Sequence, residues 1–312
     1  MPGLKNKLSL LIILMLLVVS LVVSLVGCSG GSADNTEITL LEGQFTEIDI
    51  LMQMAGILIE ENTDLKVSFH DSMYTVPAAN AVMAKEVDLY VSYDGTLLTT
   101  ILGYDPSDVP EGEDLFMWSK AKGIEDKGLT LTEKFGFENT YAIGIQQDFA
   151  REHNILTISD LVPHTGDLIF VAEHEFFDEE GTMRFNPFNE HYGITWKGSN
   201  SIDIGLKFAA MDSGSADVTM VYSTDGLNKK FDLAILEDDL NFFPQYYASF
   251  IHRETFFEDY AQTAPNLEDL LLSLAGLIDN TTMIEMNYKV DAENERPYDV
   301  AKEFLRTHGL TE

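Results

Sequence analysis

A chain of 312 residues with 19 Lys+Arg against 52 Asp+Glu, a formal net charge of −33, has no electrostatic basis for holding nucleic acid or an anionic lipid surface. Its single cysteine excludes an internal disulfide and a Cys-rich metal site. With 11% aromatic residues and only 9 Pro, the composition is that of a folded chain without a disordered domain.

In chain order, Lys5 and Lys7 precede nineteen uncharged residues, Leu8 to Val26. A basic head and an apolar stretch ending in small residues predict a secretory signal over 1–27. The stretch is also long enough to span a bilayer, so an uncleaved membrane anchor stays open. "LVGC" resembles the lipobox of secreted lipoproteins, which makes Cys28 the expected lipidation point. The Ser/Gly/Asp/Asn tract that follows reads as a tether over 28–36. Either way the rest of the chain lies outside the cell membrane, on its outer face, with a membrane attachment. Without the signal, 17 basic residues face 52 acidic ones, a net −35.

From Glu37 onward, strand-like and helical segments alternate, which predicts an α/β fold. "ITLLEG" reads as a strand. "TEIDILMQMAGILIEEN" reads as a helix opened by a capping box, Thr46-x-x-Asp49. "LKVSFH" is a strand, "PAANAVMAKE" a helix from Pro77, and "DLYVSY" a strand. "YAIGIQ", "DLIFVAE", "DVTMVY", "LAILE" and "YYASFIH" are further strands, and the chain is helical from Asn266 to Leu310. Nothing of low complexity divides the mature chain, so a second domain must be inserted rather than appended.

"KEVDLYVSYDG" and "GSADVTMVYSTDG" share a plan: Asp, strand, Tyr, then Asp-Gly. Asp88 precedes Tyr93, and Asp217 precedes Tyr222, by the same five residues. Ligands bind at the carboxyl ends of strands in open α/β sheets, so two such units suggest two lobes turning aromatic faces to one cleft. Coincidence combined with ordinary Asp-Gly turn chemistry is the alternative.

Signatures of catalysis are sparse. The Gly-x-Ser-x-Gly match at Gly27–Gly31 falls in the signal junction and makes no nucleophile elbow. Glu173, His174, Glu175, Asp178, Glu179 and Glu180 have metal-binding chemistry but read more simply as a strand running into a solvated acidic loop. The methionine-bearing segments read as core, and no cofactor is implied. Tyr93, Tyr141, Tyr222 and Tyr246 each stand at a predicted strand edge, where a tyrosine is usually a half-buried packing residue.

Taken together, "FTEIDIL", "ILIEENTDLKV", "DLYVSYDGT", "FENTYAIGI", "TISDL", "VYSTDG", "LAILEDD", "FFPQYYAS" and "MNYKVDAENERPYDVAKEFLRTHGL" cover nearly all of the mature chain. In these the sequence resembles the substrate-binding lipoproteins of ABC importers for glycine betaine, choline and carnitine. The resemblance implies a type II periplasmic-binding-protein architecture, with two lobes, a hinge and an interlobe cleft. It assigns 37–138 and 243–312 to lobe I and 139–242 to lobe II. It also implies a non-enzymatic receptor that delivers a quaternary ammonium compound to an ABC permease. Its tyrosine cage falls on Tyr93, Tyr141, Tyr222 and Tyr246, with Thr96 nearby. The chemistry agrees, because a quaternary ammonium donates no hydrogen bond and π-faces are its natural partners.

The sequence departs from the pattern twice. Gly43 stands where relatives carry Lys or Gln. Glu179 and Glu180 stand where relatives that clamp a carboxylate carry Arg, with Arg184 the nearest substitute. Choline, a cation without a carboxylate, is therefore expected to bind at least as well as betaine. A receptor for another small solute such as an amino acid would want a paired Arg and Asp. A surface metallohydrolase would use Glu173, His174 and Glu175.

Overall fold

The structure, a computed structural model, describes residues 36–177, 183–203 and 206–312. The expected signal, Cys28 and its tether up to Asn35 lie outside the described residues, as do Asp178, Glu179 and Glu180 of the acidic loop. Two five-stranded sheets organise the remainder. The first contains β1 (Glu37–Leu41), β2 (Lys66–His70), β3 (Leu89–Tyr93), β4 (Leu129–Leu131) and β10 (Ala248–Arg253). The second contains β5 (Tyr141–Gln146), β6 (Ile169–Glu173), β7 (Gly198–Ile202), β8 (Val218–Tyr222) and β9 (Leu233–Leu236).

The strand orders are β2-β1-β3-β10-β4 and β7-β6-β8-β5-β9. In each, the first three strands are parallel and the fourth is antiparallel to the strands on both its sides. The two sheets thus have one topology, the mixed type II arrangement of two α/β lobes. β3 is buried along its whole length, as expected for a strand covered on both faces.

Asp88 and Asp217 occupy equivalent places in that topology. The Asp88 carboxylate accepts from the Thr39 amide at 2.8 Å, and that of Asp217 accepts from the Ile169 amide at 2.8 Å. Each aspartate therefore ties its own strand to the neighbouring parallel strand, at Thr39 in mid-β1 and at Ile169 at the start of β6, and the strand that follows each aspartate ends five residues later in a tyrosine. The internal echo in the sequence is a repeated structural unit.

The helix Thr46–Asn62 buries Ile50, Leu51, Met54, Ala55 and Leu58, the i, i+4 stripe that anchors it to the first core. The expected capping box is not formed. Phe45 is the N-cap and has no side-chain cap bond. Asp49 accepts instead from the Gly43 amide, and the Thr46 hydroxyl donates to Asp291. The tertiary partners win because they also fix the preceding loop and the C-terminal helix. The continuous C-terminal helical stretch is divided into Leu267–Leu272, Asn280–Asp291 and Pro297–Thr307, with left-handed residues at Gly276 and Asn294 between them. These helices return to the first core, where Leu271, Met283, Phe304 and Leu305 join the strands.

The chain passes from the first sheet to the second between β4 and β5, and back between β9 and β10. The two crossings run side by side: Glu138 bridges Tyr247 in antiparallel fashion, and the Asn139 amide donates to the Tyr246 carbonyl at 2.9 Å.

Candidate functional site

The five residues expected to hold ligand lie at strand ends beside these crossings. Tyr93 ends β3, and Thr96 follows one short turn later. Tyr246 precedes β10 and lies against Tyr93, with ring centroids 5.9 Å apart and planes tilted by 33°. Tyr141 starts β5, directly opposite Tyr222 at the end of β8, and these rings are 5.3 Å apart. The fold therefore gathers the tyrosines as two pairs, one per lobe. Tyr222 lines a cavity of about 620 Å³ that also contacts Phe45, Glu47, Asn139, Thr224, Asp225, Asn287 and Asp291. Tyr93 and Thr96 line a smaller cavity of about 140 Å³ that shares Phe45 with it.

Glycine permits the first pair. A Cβ on Gly95 would sit 2.1 Å from the Tyr246 ring, so the Tyr93-Asp94-Gly95 turn must be bare for that ring to lie on it. Gly43, the first departure from the family pattern, is likewise constrained: a Cβ there would meet the Asp49 backbone nitrogen at 2.5 Å. The loop that carries Lys or Gln in relatives is folded here against the helix start.

Burial raises the pKa of Tyr93, Tyr141 and Tyr222, desolvation being the largest cause for each. Their rings therefore remain neutral phenols with intact π-faces. Tyr93 donates to Glu47 Oε1 at 2.5 Å. Glu47 is 1% exposed, and burial raises its carboxyl pKa against the influence of the nearby Thr224 hydroxyl and the hydrogen bonds it receives from Tyr93, Asn287 and Asn139. In the other pair, Tyr141 lies against Phe176 at 6.2 Å and Phe243 at 6.0 Å. The Lys207 ammonium sits 5.2 Å from the Tyr222 ring centroid and 3.7 Å from Glu173 Oε2.

The described residues of the acidic stretch separate rather than converge. Glu173 faces Lys207, the His174 ring bonds the Ser201 hydroxyl, and Glu175 lies 3.7 Å from Arg184. Among the described residues no cluster of metal-ligating side chains forms. Arg184 is mostly buried and near enough to Tyr141 to oppose the rise in its pKa.

Sequence reasoning missed Glu47, Asn139, Asn287 and Lys207. Glu47 reads as an acid offsetting a helix dipole and Asn287 as part of a core helix. Lys207 carries no signal of burial, since lysine is almost never fully buried without a partner distant in sequence.

Residues 36–307 match the family model for the substrate binding domain of ABC-type glycine betaine transport systems, and the chain belongs to that family. It is 30% identical to the carnitine transport binding protein OpuCC of Listeria monocytogenes, over 99% of both chains. It is 29% identical to the ergothioneine transport permease/ergothioneine binding protein EgtU of Helicobacter pylori, over 84% of this chain and 46% of that one. The crystal structure of a glycine betaine/carnitine/choline ABC transporter superposes with a TM-score of 0.80 at 26% identity, covering 88% of this chain and 99% of the other.

Proposed function

We propose that this receptor captures a quaternary ammonium osmoprotectant between its lobes and hands it to an ABC permease, with no bond chemistry. The observation that carries this reading is the pairing of Tyr93 with Tyr246 and of Tyr141 with Tyr222 at the strand ends of two matched sheets. A desolvated cation–π contact contributes about 0.5–2 kcal/mol, so four rings contribute about 2–8 kcal/mol, the upper end of which approaches micromolar affinity. With two rings on each lobe, the ligand interacts more strongly with the closed form and shifts the population towards it. Lipidation at Cys28 would keep the receptor beside its permease at the outer face of the membrane.

Within this class, choline fits best. The large cavity presents Glu47, Asp225 and Asp291, and none of its described lining residues is Lys or Arg. A buried carboxylate on the ligand would meet like charge there, at considerable cost. One observation favours a second reading, for glycine betaine or carnitine. Arg184 beside Tyr141 has a buried Nε without a hydrogen-bond partner among the described residues, and a guanidinium fork is the strongest carboxylate partner. Calorimetric titration of choline, glycine betaine and carnitine at matched salt tests both. Choline binding at least as tightly as betaine is the expected result. A roughly tenfold preference for betaine that disappears in Arg184→Ala would establish the second reading, and binding of none of the three would refute the quaternary ammonium site.

A further inference from the structure

The 1%-exposed carboxylate of Glu47 has no ion-pair partner among the described residues, yet donors converge on it from three separate segments. The Tyr93 hydroxyl and the Asn139 side-chain amide both reach Oε1, at 2.5 and 3.2 Å. The Asn287 amide reaches Oε2 at 3.2 Å and also donates to the Thr224 carbonyl at 2.8 Å. Tyr93 ends a strand of the first sheet and Asn139 lies in the crossing to the second. Asn287 belongs to a helix of the first core, whereas Thr224 follows the last strand residue of β8 in the second sheet. One carboxylate thus joins a cage ring, a crossing segment and, through Asn287, the opposite lobe.

We infer that Glu47 is a positioning residue for ligand capture, orienting the Tyr93 ring while tying it to the interlobe seam. This rests on the quaternary ammonium reading of the site. Two physical effects follow from the geometry. A phenol that donates to a carboxylate makes a short, charge-assisted bond, which fixes the ring before ligand arrives and so lowers the ordering cost of binding. The shared carboxylate also makes Tyr93 orientation and the Asn139 and Asn287 contacts mutually dependent, so ring placement and lobe arrangement change together.

A carboxylate suits this junction. It accepts at both oxygens, whereas glutamine offers one acceptor oxygen and an NH₂ donor. In Glu47→Gln that NH₂ must confront either the Tyr93 and Asn139 side or the Asn287 side. Asn287 cannot turn its own oxygen towards the new amide without abandoning Thr224.

The test is a double-mutant cycle with choline and glycine betaine as probes, read by calorimetry on Glu47→Gln, Tyr93→Phe and the double variant, with folding checked by circular dichroism. Glu47→Gln is expected to weaken both ligands by about tenfold or more, and Tyr93→Phe by roughly three- to tenfold, with the double variant within about twofold of Glu47→Gln. A carboxylate that served stability alone would lower the melting temperature and leave affinity within about twofold of wild type, or give losses that multiply; either result overturns the inference. Should Glu47→Gln fail to fold, Asn139→Ala paired with Tyr93→Phe applies the same criterion. If wild-type protein binds neither probe, the functional reading fails and Glu47 is judged separately by amide exchange. Faster exchange at residues 137–141 and 222–226 in Glu47→Gln upholds the junction, and unchanged exchange refutes it.

Discussion

The two lobes share a strand order but hold their aromatic pairs by opposite means. In the first, Tyr93 is fixed at its hydroxyl by Glu47, and its partner Tyr246 lies on the bare backbone of Gly95. In the second, Tyr141 is wedged between Phe176 and Phe243, and Tyr222 has a buried lysine over its ring. Phenylalanine is buried in the cores behind both, at Phe116, Phe135, Phe137, Phe250 and Phe256 in the first and at Phe170, Phe176 and Phe188 in the second. A hydrogen-bonded ring depends on one acceptor, while a packed ring depends on a whole cluster. The first pair is therefore the one a single polar substitution can disturb without unfolding its lobe.

The Asp-Gly steps after Tyr93 and Tyr222 diverge similarly. Gly95 makes room for the Tyr246 ring. Gly226 makes room for another helix, since a Cβ there would meet the Tyr288 backbone nitrogen at 2.5 Å and the Asn287 carbonyl carbon at 2.7 Å. One glycine serves the candidate site and the other the contact between the second sheet's Asp-Gly turn and the helix Asn280–Asp291.

The largest expected effect breaks the seam. Gly226→Ala has to displace backbone, which no rotamer change can relieve, so about 2–3 kcal/mol of destabilisation is expected from overpacking. The change should appear as a lower melting temperature in ligand-free protein. A melting temperature within a degree of wild type would show that the helices slide apart freely.

Next in size are the rings themselves. Tyr93→Ala, Tyr141→Ala, Tyr222→Ala and Tyr246→Ala should each weaken choline binding about tenfold or more, with Phe milder because the π-face survives. The comparison sharpens at Phe. Tyr93→Phe loses the bond to Glu47, whereas Tyr141→Phe gives up only its hydroxyl interaction with Tyr222 and keeps its packing against Phe176 and Phe243, so the former should lose more. Equal losses would mean that the polar anchor is irrelevant.

How far the sequence disclosed this arrangement depends on the kind of interaction. Strands ending in Tyr93 and Tyr222 were legible because period, turn residues and the Asp-to-Tyr spacing are all local. β7, "GSNSI", was not, since an exposed polar edge strand has no apolar alternation. β4, with three residues, is too short to show a period. The pairing of the tyrosines at strand ends followed from strand positions the sequence displays, but Glu47 takes its hydrogen bonds from Asn139 and Asn287, 92 and 240 residues away. The division of the C-terminal helical region was missed because apolar periodicity continues across its breaks.

A third prediction concerns pH and the Asp-Gly step that follows Tyr93. Asp94 is 1% exposed, and burial pushes its carboxyl up to about 7, against backbone bonds from Gly95 and Tyr247 and the attraction of Lys134. Its folded pKa lies above the unfolded value, so between about 4 and 7 the folded protein holds the proton more tightly than the unfolded chain. Stability from this group is accordingly present at low pH and lost as pH rises through that window, at no more than about 1.4 kcal/mol per pH unit. In Asp94→Asn the amide oxygen can still accept from Gly95 and Tyr247. The variant should show a flatter dependence of melting temperature on pH between 4 and 7, while matching slopes in the two proteins would assign the dependence elsewhere.

The smallest effect isolates the ligand-side glycine. Gly95→Ala directs a methyl group at the Tyr246 ring, and the ring, being half-buried and attached by a rotatable side chain, can swing aside where the backbone opposite Gly226 cannot. The cost should therefore appear in ligand affinity and hardly at all in folding. Its upper bound is the loss in Tyr246→Ala, because a displaced ring can do no worse than an absent one unless it blocks the cavity. A roughly three- to fivefold weaker affinity for choline is expected, with the melting temperature of ligand-free protein nearly unchanged. The decisive comparison is with the double variant. In Tyr246→Ala the methyl group meets no ring, so adding Gly95→Ala should then cost nothing further. A full additional loss in that background would mean that Gly95 acts on ligand directly, and the division between a ring-bearing glycine and a seam-bearing glycine would have to be abandoned.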